Sequence, residues 1–313
     1  TFDMGGTSTD VAMIDGALKL TSEGKIAGYP VAVPMVDMHT IGAGGGSIAY
    51  VDSGGMLQVG PESAGAAPGP ACYNQGGKRP TVTDANLLLG RLRPDAFLGG
   101  KMPLHESAAY HAMQSVAKPL GLSVEQAAEG VVRIANEHMA HALRVMSVQR
   151  GIDPRGLTLV SFGGAGGLHV CALAEALSMQ QAMVPVHAGV LSALGMLVAP
   201  RSRQLSRTHI ARLMNMAHEQ IEAVYAELEA KGRQELIAEG VAKAEIEIQR
   251  SLDLRYEGQS YYLNLPWNDL KSCEAAFHRL HAERYGHELD LPVELVNLRV
   301  GLVSRPTPLT LTS

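Results

Sequence analysis

Residues 1–10 read TFDMGGTSTD, and this stretch decides the fold. Phe2 to Met4 reads as a short strand. Gly5 and Gly6 supply a turn, and "TDVAMID" (9–15) reads as the returning strand of a hairpin. The turn is unusually rich in anion-binding groups. Two glycines let the backbone bend close to a ligand, and Thr7, Ser8 and Thr9 add hydroxyls and N–H groups suited to phosphate oxygens. Asp3, at the end of the strand, is placed to hold a hydrated Mg²⁺ or to orient a water. The competing reading is a plain hairpin with polar decoration.

A second glycine loop lies far along the chain, at Phe162-Gly163-Gly164-Ala165-Gly166-Gly167-Leu168-His169. It follows the apolar run "LTLVSF" (157–162) and precedes "LHVCALAEAL" (168–177), a strand–turn–helix order. Strand-to-helix turns use glycine for packing alone. Paired with the first loop, this one suggests a nucleotide held from two sides.

Outward from these loops, the 313 residues suffice for two domains. Acidic residues outnumber basic ones, 31 to 26, and no Lys/Arg block forms a footprint for nucleic acid. The longest apolar stretch, 184–199, contains Pro185 and His187 and is too short to span a membrane. Cys72, Cys171 and Cys273 form no CxxC and no disulfide framework, so a reducing, cytoplasmic setting is expected.

Residues 62–80 hold too much Gly, Pro and Ala for regular structure. A loop of this length inside a compact chain points to function or disorder. Ser123 and Gln126 form a capping box for a long helix. Its apolar positions include Val124, Ala127, Ala128, Val131, Ile134 and Ala135, with Gly151 as its end; His138 falls on that stripe as a core or interface residue. The polar, basic segment 200–207 reads as a boundary. Beyond it, a helix over 211–240, strands at "EIEIQRSLDLRY" and "SYYLNL", a helix from Asp269 and a last strand give an α+β order. The expected domains are therefore 1–205 and 206–313.

Asp37 and His39 alternate and so share a strand face. With Cys72 and His169 they would make a donor set for Zn²⁺ or another divalent transition metal. Equally, Asp37 could bond a turn, His39 could be a core histidine, and Cys72 could simply be buried. Ser192 in "VLSALG" lacks the GxSxG setting of a nucleophile and reads as a helix cap. Asp84 in "TVTDANLLLGRL" reads as a helix cap or a functional group.

The pair "DMGGTSTD" and "FGGAGGLH" resembles the phosphate and adenosine-side loops of the actin/Hsp70/sugar-kinase ATPase fold. The chain is more closely similar to the hydantoinase A/5-oxoprolinase family. That resemblance runs through "VDMHTIGAGGGSIAYVD", "VGPESAGAAPGPACY", "PTVTDANLLLGRL", "FLGGKM", "GVLSALGML" and "LRYEGQSYYLNL", nearly the whole chain in order. One departure is Gly167, where the family often has Pro.

The resemblance implies an α/β fold: an actin-like (ribonuclease H-like) ATPase lobe with a mixed sheet, plus a smaller C-terminal α+β domain. It implies ATP-dependent hydrolysis of a cyclic amide such as a hydantoin, 5-oxoproline or another lactam, with ATP and Mg²⁺ as cofactors. In that scheme Asp3 and Asp10 manage Mg²⁺ and water. Gly5, Gly6, Thr7, Ser8 and Thr9 bind phosphates, and Gly163, Gly164 and Gly166 let the backbone approach the nucleotide. The same stretches strengthen the metal set of Asp37, His39, Cys72 and His169. The implied partner is a hydantoinase B-type subunit or domain. Longer family members carry an earlier lobe with its own DxGGTxTD loop, so the chain is expected to be a fragment lacking that lobe and inactive alone. A ketone carboxylase subunit of the same superfamily and a chaperone-like reactivating ATPase are the alternatives.

Overall fold

The computed structural model describes residues 1–21, 24–26, 29–31 and 35–306. The chain divides into two compact units, Thr1–Leu194 and Gly195–Ser313.

The first unit is built on a five-stranded mixed sheet. Its strand order is Gln181–Met183, Thr158–Phe162, Phe2–Met4, Thr9–Ala12, Met38–Ile41. The strands at 2–4 and 9–12 form the antiparallel hairpin expected from TFDMGGTSTD, with Asp3 opposite Asp10. The 2–4 strand also runs parallel to 158–162, pairing Asp3 with Phe162. One short central strand is thus shared by both glycine loops, which brings two segments about 160 residues apart to the same end of the sheet.

Helices α1 (Val82–Leu88), α2 (Glu106–Leu120), α3 (Val124–Met146) and α4 (Val170–Ala176) belong to this unit. Both atoms of the Ser123–Gln126 capping box are engaged at the start of α3. The buried face of α3 includes Ala127, Ala128, Val131, Ala135, Met139, Ala142 and Met146, and it packs with Phe2, Met4 and Leu159 in one core. His138 lies outside this face and is exposed, so it is not the core residue expected. The stripe turns through Ala135, Met139 and Ala142, one position away from the 134–138 register. Gly151 caps a short 3₁₀ turn after α3, at φ +75°, instead of α3 itself.

The 62–80 loop is ordered by one buried carboxylate. Thr81 caps α1 in a capping box with Asp84, so Asp84 is the third helical residue and not the cap. Asp84 accepts N–H bonds from Ala71, Cys72 and Thr81 at 3.2, 2.7 and 2.9 Å. A fully buried carboxylate with this many donors is well satisfied.

The second unit is a four-stranded antiparallel sheet, ordered Ser202–Arg212, Val293–Ser304, Ile246–Tyr256, Leu263–Pro266. It carries α6 (His218–Ala238) and α7 (Leu270–Tyr285), while α5 (Leu191–Val198) straddles the division of the chain. Leu252, Leu254, Leu298, Val300 and Leu302 form its core with Tyr225 and Phe277. A Cβ on Gly232 would lie 2.3 Å from a Leu302 methyl, so α6 needs glycine there to approach the sheet. The expected α+β content is present with one strand more than the sequence suggested. The break expected after residue 205 lies inside the 202–212 strand. That strand is an edge, mostly exposed and basic, so its pattern read as a linker.

Candidate active site

The GGTS turn is held rigid from below. Gly5 N–H bonds Ser8 O at 3.0 Å, closing the turn. The 42–47 glycine segment lies directly against it, with Gly45 N–H on Gly5 O at 3.0 Å and Gly46 N–H on Gly6 O at 2.6 Å. A Cβ on Gly44 would sit 2.7 Å from Gly6 C and Thr7 N. Side chains are therefore excluded there, which explains the run of three glycines in "GAGGGS". Thr83 N–H and its hydroxyl both donate to Gly45 O at 2.8 Å, tying α1 to this stack.

Of the expected phosphate hydroxyls, Thr7 is exposed and Ser8 half-buried at the open side of the turn. Thr9 is different. It is fully buried and donates to Ala43 O at 2.5 Å, so its hydroxyl serves the loop stack and not a ligand.

The second loop closes over Asp3. Gly163 has φ +82°, and a Cβ there would lie 2.3 Å from Asp3 Oδ1 and 2.5 Å from Met4 O. Ala165 N–H bonds Met4 O at 3.0 Å. Gly164 is open, as a ligand-facing position requires. Gly166 is buried, and its absent side chain makes room for Ser161 Oγ at 2.6 Å; it is a packing glycine.

Asp3 also accepts a hydrogen bond that the sequence did not announce, from Ser192 Oγ to Oδ2 at 2.6 Å. Ser192 lies in the first turn of α5, 189 residues away. Only its place beside a strand–turn–helix repeat hinted at a role. Asp10 is bonded in turn by Thr40 Oγ1 at 2.5 Å. As cross-strand partners, Asp3 and Asp10 send their side chains to one face of the sheet. Two carboxylates held by hydroxyls beside the glycine turn give hard oxygen donors. That donor set suits Mg²⁺.

The expected transition-metal set does not assemble. Asp37 forms an ion pair with Arg150, with a second contact at 3.1 Å. His39 lies on the Met38–Ile41 strand, opposite Val11. Cys72 is fully buried beside Asp84, and burial together with that carboxylate pushes its thiol well above the usual range.

His169 is fully buried, and burial, aided by the Arg91 charge, pulls its pKa down to about 4. The neutral ring with hydrogen on Nδ1 donates to Asn136 Oδ1 at 2.7 Å and accepts at Nε2 from Asn86 Nδ2 at 3.4 Å. It joins α1, α3 and α4 as a core residue. Among the described residues no three His, Cys, Asp or Glu side chains are grouped as metal ligands. Among them, too, no helix is long and apolar enough to cross a membrane.

Two glycine loops meeting on one aspartate match a known family. The sequence model of Hydantoinase/oxoprolinase covers residues 1–204. The chain belongs to the hydantoinase/oxoprolinase family.

Caprolactamase subunit alpha of Pseudomonas jessenii is 40% identical over 318 residues, 97% of this chain and 46% of that one. The crystal structure of the ATP-dependent caprolactamase from that organism matches with a TM-score of 0.74 at 39% identity, covering 100% of this chain and 48% of the other. The 5-oxoprolinase PfmaA of Pestalotiopsis fici is 36% identical over 315 residues, 95% of this chain and 24% of its own. Acetone carboxylase, solved nucleotide-free in a study of its ATP-dependent mechanism, matches with a TM-score of 0.83 at 27% identity, covering 98% and 46%. This family member therefore has the mixed α/β, actin-like fold expected, and it spans about half the length of caprolactamase subunit alpha.

Proposed function

We propose that this chain supplies the ATP-binding half of an enzyme that hydrolyses a cyclic amide. The observation that carries this reading is the closure of the Gly163 loop onto Asp3, beside the GGTS turn. In this scheme Gly5, Gly6, Thr7 and Ser8 cradle phosphate oxygens, and Gly163 and Gly164 allow the nucleotide close to the backbone. Asp3 and Asp10 would hold Mg²⁺ through their free oxygens, and the ion would neutralise charge on the phosphates. Ser192 fixes the Asp3 carboxylate in place. Thr9, Gly166 and His169 keep the loops and helices in register and touch no ligand.

A lactam carbonyl resists water because amide resonance lowers its electrophilicity. Attack of the amide oxygen on the terminal phosphorus, with ADP leaving, removes that protection. Water then adds to the carbon and the ring C–N bond breaks, leaving a free amine and an acyl phosphate; a second water hydrolyses the acyl phosphate to the carboxylate and releases phosphate. One ATP and two waters are consumed for each ring opened. Two relatives named for lactam opening, caprolactamase and 5-oxoprolinase, support this assignment. The name "subunit alpha" supports a partner chain, for which a hydantoinase B-type subunit is the candidate.

ATP turnover by the complete enzyme with its neighbouring subunit should rise on adding a cyclic amide. Asp3→Ala should abolish that rise. Turnover that ignores every cyclic amide and responds to a ketone with bicarbonate would instead favour an ATP-dependent carboxylase. The TM-score of 0.83 to acetone carboxylase supports that second reading.

A further inference from the structure

The "FLGGKM" stretch (97–102) takes no part in the site above, yet it reaches the same turn. Together with the Ala71–Tyr73 3₁₀ turn it walls a cavity of about 450 Å³ whose other side is Gly6 and Thr7. The Tyr73 and Phe97 rings meet at 5.5 Å, and Met102 Sδ accepts a contact from Gln75 Nε2 at 3.9 Å.

Leu98 is held at φ +50°, and 65% of it is exposed. A bulky residue in the left-handed region costs on the order of 1–3 kcal/mol and persists where its surroundings over-determine it. Burial does not compensate Leu98 for this strain. Its position on the cavity is what distinguishes it. The residues that line the cavity carry no charge; Thr7 and Gln75 offer polar groups, and Tyr73, Phe97, Leu98 and Met102 offer apolar faces.

We propose that this cavity holds the ring to be opened, and that the ring is uncharged. Its methylenes lie on Tyr73, Phe97, Leu98 and Met102, and its amide oxygen faces the Gly6–Thr7 turn, where a terminal phosphate would sit. The proposal rests on the cyclic-amide reading above. A ring bearing a carboxylate, such as 5-oxoproline, would meet no cation among the lining residues to pair with its charge.

The test uses the complete enzyme, with ε-caprolactam as neutral probe and 5-oxoproline as anionic probe. Each is followed by ATP turnover and by ligand-observed NMR, with melting temperature as a folding control. The variants are Leu98→Lys, at an exposed position, and Phe97→Ala. The wild type should have a KM at least about tenfold lower for caprolactam than for 5-oxoproline. Leu98→Lys should raise the caprolactam KM about tenfold and lower that for 5-oxoproline, with the KM for ATP changed less than about twofold. Unchanged KM values in both variants, or a wild type that prefers 5-oxoproline, would overturn the cavity's assignment and leave ring opening standing. NMR contact with caprolactam that both variants lose, in an enzyme that opens no ring, would keep the cavity and remove the ring-opening reading. A wild type that does not bind caprolactam would overturn the assignment outright.

Discussion

Gly163→Ala tests whether the second loop positions Asp3. The new methyl would lie 2.3 Å from Asp3 Oδ1, 2.5 Å from Met4 O and 2.8 Å from Met4 C. Reaching an ordinary contact of about 3.4 Å requires a shift of about 1 Å at the carboxylate and nearly as much at the Met4 carbonyl. Met4 O accepts the Ala165 N–H at 3.0 Å, so the shift also stretches that bond. Alanine at φ +82° adds backbone strain. About 1–2 kcal/mol of strain and about 1 kcal/mol for a weakened hydrogen bond give a destabilisation of about 2–3 kcal/mol. A reacting group displaced by about 1 Å costs on the order of a hundredfold in rate. Urea unfolding and steady-state ATP turnover of the complete enzyme measure the two effects. Gly164→Ala is the control for stability alone, since a Cβ there meets no protein atom within 4 Å and should leave urea unfolding unchanged. Gly163→Ala with wild-type stability and turnover within about twofold of wild type would refute the account of this loop.

Three further outcomes follow from single contacts. Ser192→Ala removes the donor to Asp3 Oδ2 and should lower ATP turnover about tenfold with little change in urea stability; equal losses in both would make Ser192 a structural residue. His169, neutral when folded with a pKa near 4 against an ordinary 6.5, keeps its full contribution above pH 6.5 and loses it as pH falls toward 4, because the unfolded chain then binds the extra proton. The loss between pH 7.5 and pH 5 should be about 2 kcal/mol by urea denaturation, and a His169→Gln variant should lack that slope. Asp253 is fully buried and accepts from Arg299, Asn264 and Asn297 at 2.7, 2.8 and 2.7 Å. Asp253→Ala should cost about 3–5 kcal/mol by stranding the Arg299 charge, measured by unfolding of the second unit, and a loss below about 1 kcal/mol would count against that network.

The sequence by itself determined the local pieces. The hairpin around TFDMGGTSTD, the Ser123–Gln126 capping box and the strand–turn–helix at 158–176 are each decided by neighbours a few residues apart. Turn glycines, caps and periodicity act at that range, so they were legible. The family was legible for the same reason, since its signature is a series of short motifs in order. What only the tertiary structure decided is which of those pieces meet. Thr9 and Thr7 look alike in the sequence, but the pleat buries one against Ala43 and exposes the other. Asp37, His39, Cys72 and His169 looked like one donor set, yet Arg150, Asp84 and the two asparagines claim three of them separately. Ser192 read as a helix cap until the sheet carried Asp3 to it. The physical reason is that hydrogen-bond partners across 30 to 190 residues are fixed by register and packing, which no local pattern encodes.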